Sequence, residues 1–198
     1  MNRPVPDEVI LGLLKAQPTY GYELLEYFRS SSALGRIWTM STSQLYAVLK
    51  RLSKAGDIVG RVLDVPNAPA RVEYTVTERG EQKLEAWLYD PHPSAGIHRI
   101  RVLFLSRVYI ANLLAASLEL IITAQIASCY AQQKVINAQR LDSQSEIEQL
   151  TLDFVISQLD AAINWLKQSQ FSIMTSPEGE ENQDKPLRYE NTSPHKSS

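Results

Sequence analysis

The stretch from Ser41 to Gly56 constrains the fold more than any other part of this chain. It begins with Ser41 and Thr42, residues that cap helix N-termini, and it ends at Gly56, a typical helix-stop residue. Apolar residues recur at three- and four-residue spacing on one side of the predicted helix: Leu45, Val48, Leu49 and Leu52. The opposite side carries Ser43, Ala47, Lys50 and Lys54. One face of this helix therefore packs on a core, and the other is small, polar and cationic.

The segments around this helix predict a winged helix-turn-helix. Two helices precede it, and a β-hairpin and a fourth helix follow it; the bounds are 7–16 with Asp7 as N-cap, about 20–31 with Thr19 as N-cap, strands over 57–65 and 71–76, and a helix from Thr77. Three helices followed by a hairpin is the winged-helix order, with the hairpin as the wing. We expect a mainly α fold with a small β-hairpin wing, followed by a helical dimerisation domain.

A cluster of helix breakers from Asp90 to Gly96 predicts a hinge after the winged domain. The last stretch of the chain is polar and almost free of aliphatic residues, a composition typical of disorder. The sequence therefore predicts three regions: a DNA-binding domain over 1–90, a helical dimerisation or effector domain over 91–174, and a disordered tail over 175–198.

The middle region is helical by its apolar periodicity. Helices are predicted over 97–107, 114–139 and 144–170, with a bend near Asn112. Their apolar stripes exceed what one small winged domain can cover, so we expect a helical hairpin that pairs with a second copy. The residues expected at this homodimer contact are Leu118, Ile122, Leu152, Ile156, Leu159, Ile163 and Leu166.

Charge distribution favours a nucleic-acid partner despite a weakly acidic whole. The 198 residues carry a formal net charge of −2, yet the window from Arg36 to Arg61 holds five basic residues against Asp57 alone. Physiological salt screens distant charges, so the local field decides what binds there.

Several function classes are disfavoured. Cys129 is the single cysteine, so the chain forms no internal disulfide, and we expect a packed, inert thiol and a cytoplasmic location. Uncharged stretches are shorter than a membrane helix requires. His92 and His98 have no third ligand near them in sequence, and no catalytic arrangement is visible, so we expect no metal, no cofactor and no enzyme activity.

Five motifs occur in order at spacings that resemble the PadR family of bacterial transcriptional regulators. They are Ile10–Leu14, Tyr20–Leu24, Leu45–Leu52, Ala55–Ile58 and Arg71–Gly80, and the resemblance covers about residues 5–90. It implies a homodimeric winged-helix repressor that binds a palindromic operator and is released by a small molecule or another signal. The family pattern places its recognition-helix tyrosine at Tyr46 and its basic pair at Lys50 and Arg51. Asp57 departs from the pattern, at the base of the wing.

The DNA-binding prediction rests on the third helix and the wing. Short side chains let a helix enter the major groove, while lysine and arginine contact phosphates or guanine. The predicted DNA-contacting residues are Tyr20, Ser41, Thr42, Ser43, Gln44, Tyr46, Lys50, Arg51, Lys54, Arg61 and Arg71. Tyr22 is interpreted as a core residue. Trp38, Trp87 and Trp165 are candidates for an effector pocket, although core packing and dimer contact are favoured for them.

A second hypothesis stays open. Winged helices also bind proteins, so the chain could be a protein-interaction module without sequence-specific DNA binding. In that case Lys50, Arg51 and Lys54 would tolerate loss of charge, and DNA binding would show no salt dependence.

Overall fold

The computed structural model describes residues 7–29, 34–63 and 71–175. Its regular elements are α1 (Asp7–Ala16), β1 (Thr19–Tyr20), α2 (Gly21–Arg29), a 3₁₀ turn (Leu34–Arg36), α3 (Thr42–Ala55), β2 (Ile58–Leu63), β3 (Arg71–Val76), α4 (Glu78–Leu88), α5 (Ile97–Arg99), a π-helical turn (Ile100–Phe104), α6 (Leu105–Leu113), α7 (Leu118–Asp142) and α8 (Glu146–Thr175). The predicted fold class, mainly helical with a small β wing, is confirmed.

Helix α1 lies at the centre of the amino-terminal core. Six consecutive residues from Val9 to Leu14 are buried, and α4, α6 and β3 pack directly on this helix. The apolar face predicted for α3 is the buried one: Leu45, Val48, Leu49 and Leu52 are almost inaccessible to solvent. Helix α3 is therefore fixed in rotation, and its opposite face points outward.

The wing is part of a three-stranded sheet with the order β1-β3-β2. Strands β2 and β3 pair antiparallel from Ile58↔Val76 to Leu63↔Arg71, as the hairpin prediction requires. The prediction of Thr19 as an N-cap was wrong, because Thr19 pairs with Tyr74 as part of β1. Two residues are too few to show an alternating pattern, so this strand exists only through its partner β3.

Helices α7 and α8 form an antiparallel hairpin that we call the arm. Side-chain contacts run in opposite directions along the two helices: Gln170 donates to Thr123, Gln133 to Asp160 and Arg140 to Asp153. The inner faces meet through buried apolar residues, among them Ile121, Ile122, Leu159, Ile163 and Leu166.

The segment between α4 and the arm differs from the single helix predicted over 97–107. A π-helical turn over Ile100–Phe104 separates α5 from α6, and the bend predicted near Asn112 is the end of α6 at Leu113. Ala115 follows in the left-handed region, with φ of 53°. A non-glycine residue there marks a tight, sterically defined turn into α7.

Helix α6 packs on α1 although it follows the predicted hinge. A Cβ atom at Gly12 would collide with the Ile110 side chain, and Trp38 Nε1 donates to Ser106 Oγ at 2.9 Å. We call α1–α4, the sheet and α6 together the head. The division at residue 90 stays a prediction, and the structure places α6 against the part that precedes it.

The predicted tail over 175–198 lies, apart from Thr175 at the end of α8, outside the residues that the structure describes, as does the loop over 64–70. Among the described helices, each is too short or too polar to cross a lipid bilayer.

Candidate nucleic-acid interface

The start of α3 is built to present short polar side chains. Ser41 Oγ accepts from the Gln44 backbone amide at 3.3 Å, and the Gln44 side chain accepts from the Ser41 amide at 2.9 Å. This reciprocal capping box satisfies two amides that a helix start leaves unpaired. Thr42 and Ser43 beside it are exposed. The predicted base-contacting turn is therefore ordered and accessible.

The carboxyl-terminal end of α3 is also capped by backbone hydrogen bonds. Gly56 adopts the left-handed conformation, with φ of 76°, and its amide and that of Asp57 bond back to the carbonyls of Ser53 and Leu52. Between the two caps, Lys50 and Lys54 are exposed on the outward face. Within the described residues neither lysine has an ion-pair partner. Both ammonium groups are thus available to an anionic partner.

Arg51 differs from these two lysines because Asp7 holds it. Its Nε lies 2.9 Å from Asp7 Oδ2, and a terminal nitrogen contacts the other carboxylate oxygen. This hydrogen bonding raises the pKa of the Arg51 guanidinium. The structure thus places Arg51 on the α1 side of the outward face, as half of a two-point ion pair.

Tyr20, Tyr22 and Arg71 form a cluster beside α3 where β1 meets the wing. The two tyrosine rings stack with 5.6 Å between centroids and 5° between planes. The Arg71 guanidinium lies 6.0 and 5.7 Å from the two ring centroids, and Arg71 donates to the Tyr22 hydroxyl at 3.3 Å. This arrangement holds a cation at the loop end of the wing's described strands, where Arg71 pairs with Leu63.

The interpretation of Tyr22 as a core residue was wrong. Its side chain is 47% exposed, because stacking on Tyr20 turns it outward instead of into the α2 core. Burial against its neighbours, with the nearby Glu23 carboxylate, raises the pKa of the Tyr22 hydroxyl. Tyr22 therefore lies beside the predicted contact residues Tyr20 and Arg71, and the pair of tyrosines flanking Gly21 was its one visible signal in the sequence.

Tyr46 bridges α3 and α2. It is 49% exposed, and its hydroxyl lies 3.1 Å from where a Cβ atom at Gly21 would be. A larger residue at position 21 would displace the ring. Tyr46 therefore packs one edge on the fold and leaves the rest of the ring in solvent, as its position on the flank of α3 predicts.

Asp57 organises the base of the wing. Its side chain is buried and forms ion pairs with Arg79 Nε and Lys83 Nζ, both at 3.1 Å. Its carbonyl oxygen accepts from the Thr77 amide. A Cβ atom at position 80 would collide with the same oxygen, so only glycine fits there. Arg61 lies further along β2 and is exposed. The residue that departs from the family pattern thus joins the wing to α4 by charge.

The predicted dimer residues fall into two groups. Ile122, Leu159, Ile163 and Leu166 are buried inside the arm, where they pack within one chain and cannot also face a second copy. Leu118, Leu152 and Ile156 are half-buried. The apolar residues that face solvent on the outer side of α8 are instead Ile147, Leu150, Phe154 and Trp165. Three- and four-residue spacing does not separate the buried side of α8 from its solvent-facing side, because α8 is apolar on both.

The three tryptophans have different surroundings. Trp38 stacks at an angle on Phe28, and Trp87 lies under the buried Arg107 guanidinium at 5.2 Å, so both pack within the head. Trp165 lines an open cavity of about 340 Å³ together with Ile97, Ile100, Arg101, Leu105, Gln158 and Ala162. Of the three pocket candidates, Trp165 alone lies at this cavity.

Part of the head is similar to known transcriptional regulators. Residues 10–86 match the model of the transcriptional regulator PadR-like family. The chain is 36% identical over 84 residues to the negative transcriptional regulator PadR of Bacillus subtilis (strain 168). That match covers 42% of this chain and 45% of the relative, so it spans less than half of the relative's length.

Solved structures extend the likeness along more of the chain at lower similarity. Bacillus subtilis PadR in complex with operator DNA is 24% identical, with a TM-score of 0.41, over 85% of this chain and 99% of that one. The same protein in complex with p-coumaric acid is 23% identical, with a TM-score of 0.40, over 89% and 100%.

Proposed function

Because residues 10–86 match the model of the transcriptional regulator PadR-like family, we propose that the protein is a DNA-binding transcriptional repressor that acts as a homodimer. Each protomer inserts the start of α3 into a major groove, and two protomers read the halves of a palindromic operator. The observation that carries the proposal is the outward face of α3, where a capped turn of short polar residues precedes two exposed lysines, Lys50 and Lys54.

The side chains around α3 fit contact with the DNA backbone. Lys50 and Lys54 follow the exposed first turn at helical spacing, so they would meet phosphates as Ser43 and Gln44 approach base edges. The Tyr20–Tyr22–Arg71 cluster includes the loop end of the wing strand β3, and Arg61 lies on the other wing strand, β2. The wing would therefore contact the backbone or an adjacent minor groove with these two arginines.

The arm supplies the second protomer's contact. Ile147, Leu150 and Phe154 expose an apolar stripe on the side of α8 opposite the buried residues of the hairpin. Such a stripe is costly in water and is typical of an interface. Pairing of two arms through this stripe would set the separation of the two α3 helices.

The cavity at Trp165 is our candidate for an effector site. Its walls are apolar except for Arg101 and Gln158, and its volume lies within the range of small-molecule pockets. A small, largely apolar anion would match this lining. Since the cavity lies between α8 and the segment that leads to α6, its occupant would contact both the arm and the head.

The test is DNA binding with Lys50→Gln and a matched control. Fluorescence anisotropy is recorded at several salt concentrations, using duplex DNA from directly upstream of the protein's own coding region and random-sequence duplex. Lys50→Gln weakens binding to both, and the plot of log K against log salt becomes less steep by about one. Lys15→Gln removes the same charge from a lysine that pairs with Glu81 at the far end of α1, and it leaves binding unchanged.

The same experiment distinguishes the proposed repressor from a protein-interaction module. Exposed Val59 and Val62 on the wing favour that alternative, because a protein partner would cover them. A folded, dimeric protein that binds neither duplex, or binds without salt dependence, would contradict the repressor proposal.

A further inference from the structure

We propose that Asp7 restrains Arg51 and thereby limits the protein's affinity for DNA of arbitrary sequence. This inference rests on the proposed function and assigns Asp7 as a positioning residue for the DNA-binding face. The partner that competes for Arg51 is a backbone phosphate of duplex DNA.

The Asp7–Arg51 pair has the geometry of a strong contact. Both carboxylate oxygens meet the planar guanidinium, with Nε 2.9 Å from Oδ2. Two-point pairs of this kind are the strongest charge-assisted hydrogen bonds in proteins. The Asp7 side chain is 16% exposed and that of Arg51 is 53% exposed, so the arginine is the accessible partner.

Further ion pairs lie on the other side of the Asp7 carboxylate. Lys83 Nζ lies 4.0 Å from Asp7 Oδ2 and 3.1 Å from Asp57 Oδ2, and Arg79 Nε lies 3.1 Å from Asp57 Oδ1. These pairs run from α1 through α4 to the base of the wing. Lys83 therefore lies on the far side of the Asp7 carboxylate from Arg51, and a competing phosphate would have to draw Arg51 away from that carboxylate.

The three cations of α3 are thus unequal. Among the described residues Lys50 and Lys54 have no ion-pair partner to leave, whereas Arg51 must leave two hydrogen bonds to Asp7, whose carboxylate also repels the phosphate. Each phosphate contact adds about 0.9 to the salt slope of binding to B-form DNA. Removing the Asp7 charge should therefore add one contact that does not depend on base sequence.

The experiment measures full-length protein binding to a random-sequence 30-base-pair duplex by anisotropy across a salt series. Asp7→Asn tightens binding about three- to tenfold, and the slope of log K against log salt steepens by about 0.9. Asp7→Ser is the second variant and gives the same change. Urea denaturation confirms that each variant is folded. Glu8→Gln removes an equal charge from the neighbouring residue, and it changes affinity and slope much less.

A double-mutant cycle separates release of Arg51 from simple loss of negative charge. Asp7→Asn is compared in the wild type and in the Arg51→Gln background. The gain in affinity disappears in the Arg51→Gln background if Asp7 acts by restraining Arg51. A gain that persists there, a gain matched by Glu8→Gln, or no gain in either Asp7 variant overturns the inference. A wild-type protein without salt-dependent DNA binding overturns the proposed function itself, and this inference with it.

Discussion

The head and the arm solve the problem of burying apolar surface in different ways. In the head, side chains such as Phe28, Leu24 and Leu45 are enclosed by elements of the same chain. In the arm, α7 and α8 bury only their facing sides, and Phe154, 63% exposed, belongs to an outer stripe that is open to solvent. The head is complete within one chain, whereas the arm has an apolar face that a second chain would cover.

This difference shows where each region's stability comes from. Hydrophobic burial within a chain is independent of protein concentration, but burial between chains is not. Head stability should therefore be a property of the protomer, and arm stability should include a term that rises with concentration.

Paired truncation of two phenylalanines tests this contrast most strongly. Phe28→Ala, at 1% exposure, should lower the free energy of unfolding by about 3–5 kcal/mol at every protein concentration, because it leaves a cavity in a closed core. Phe154→Ala should weaken self-association by about 10- to 100-fold, which corresponds to about 1.4–2.8 kcal/mol. Urea denaturation and sedimentation equilibrium measure the two effects. Equal, concentration-independent losses for both variants would mean that the outer stripe of α8 faces no second chain.

Removal of the two serine caps should lower the free energy of unfolding by a smaller amount, which again differs between the head and the arm. Ser41→Ala removes one half of a reciprocal capping box on α3 and should lower the free energy of unfolding by about 1 kcal/mol. Ser117→Ala removes a single, longer hydrogen bond of 3.5 Å from the Leu120 amide on α7, and its loss of unfolding free energy should be smaller. Hydrogen exchange at the Gln44 and Leu120 amides reports each site. A larger loss at Ser117 would contradict the order expected from these distances.

The smallest effect is expected at the thiol of Cys129. Its reactivity reports whether solvent reaches the inner side of the arm more easily than it reaches the core of the head. Burial raises the pKa of this thiol, so less of the reactive thiolate is present at neutral pH than for an exposed cysteine. We expect slow reaction with a thiol-specific reagent in the native protein and fast reaction in urea. Reactivity in the native state close to that in urea would show that the arm opens readily.

Local signals explain why the head was largely predictable. Ser41 and Gly56 bound α3 by their own chemistry, and the alternation in β3 sets the hairpin register. Strand β1 was missed because pairing with a strand more than fifty residues away creates it. The same limit applies to the site: nothing within α3 shows that Arg51 is paired, since its partner Asp7 lies on another helix.

The arm was predictable as helices but not in its orientation. Both Leu159 and Phe154 recur at helical spacing with apolar neighbours, yet one lies inside the hairpin and the other outside. Only the packing of α7 decides between the two faces. Similarly, the segment from Ile97 to Leu113 has helical periodicity throughout, and the π-helical turn within it does not alter that pattern.

The docking of α6 on α1 has a consequence for exchanging parts between this chain and its relatives. Gly12 and Ile110 pack against each other, and Trp38 is hydrogen-bonded to Ser106, so an amino-terminal module cut out at residue 90 would lose part of its own core packing. A transplantable module has to extend through Leu113, with the seam placed in the turn that contains Ala115. Position 12 and position 110 would have to be moved together, since a graft that keeps only one of them loses the fit that closes the core.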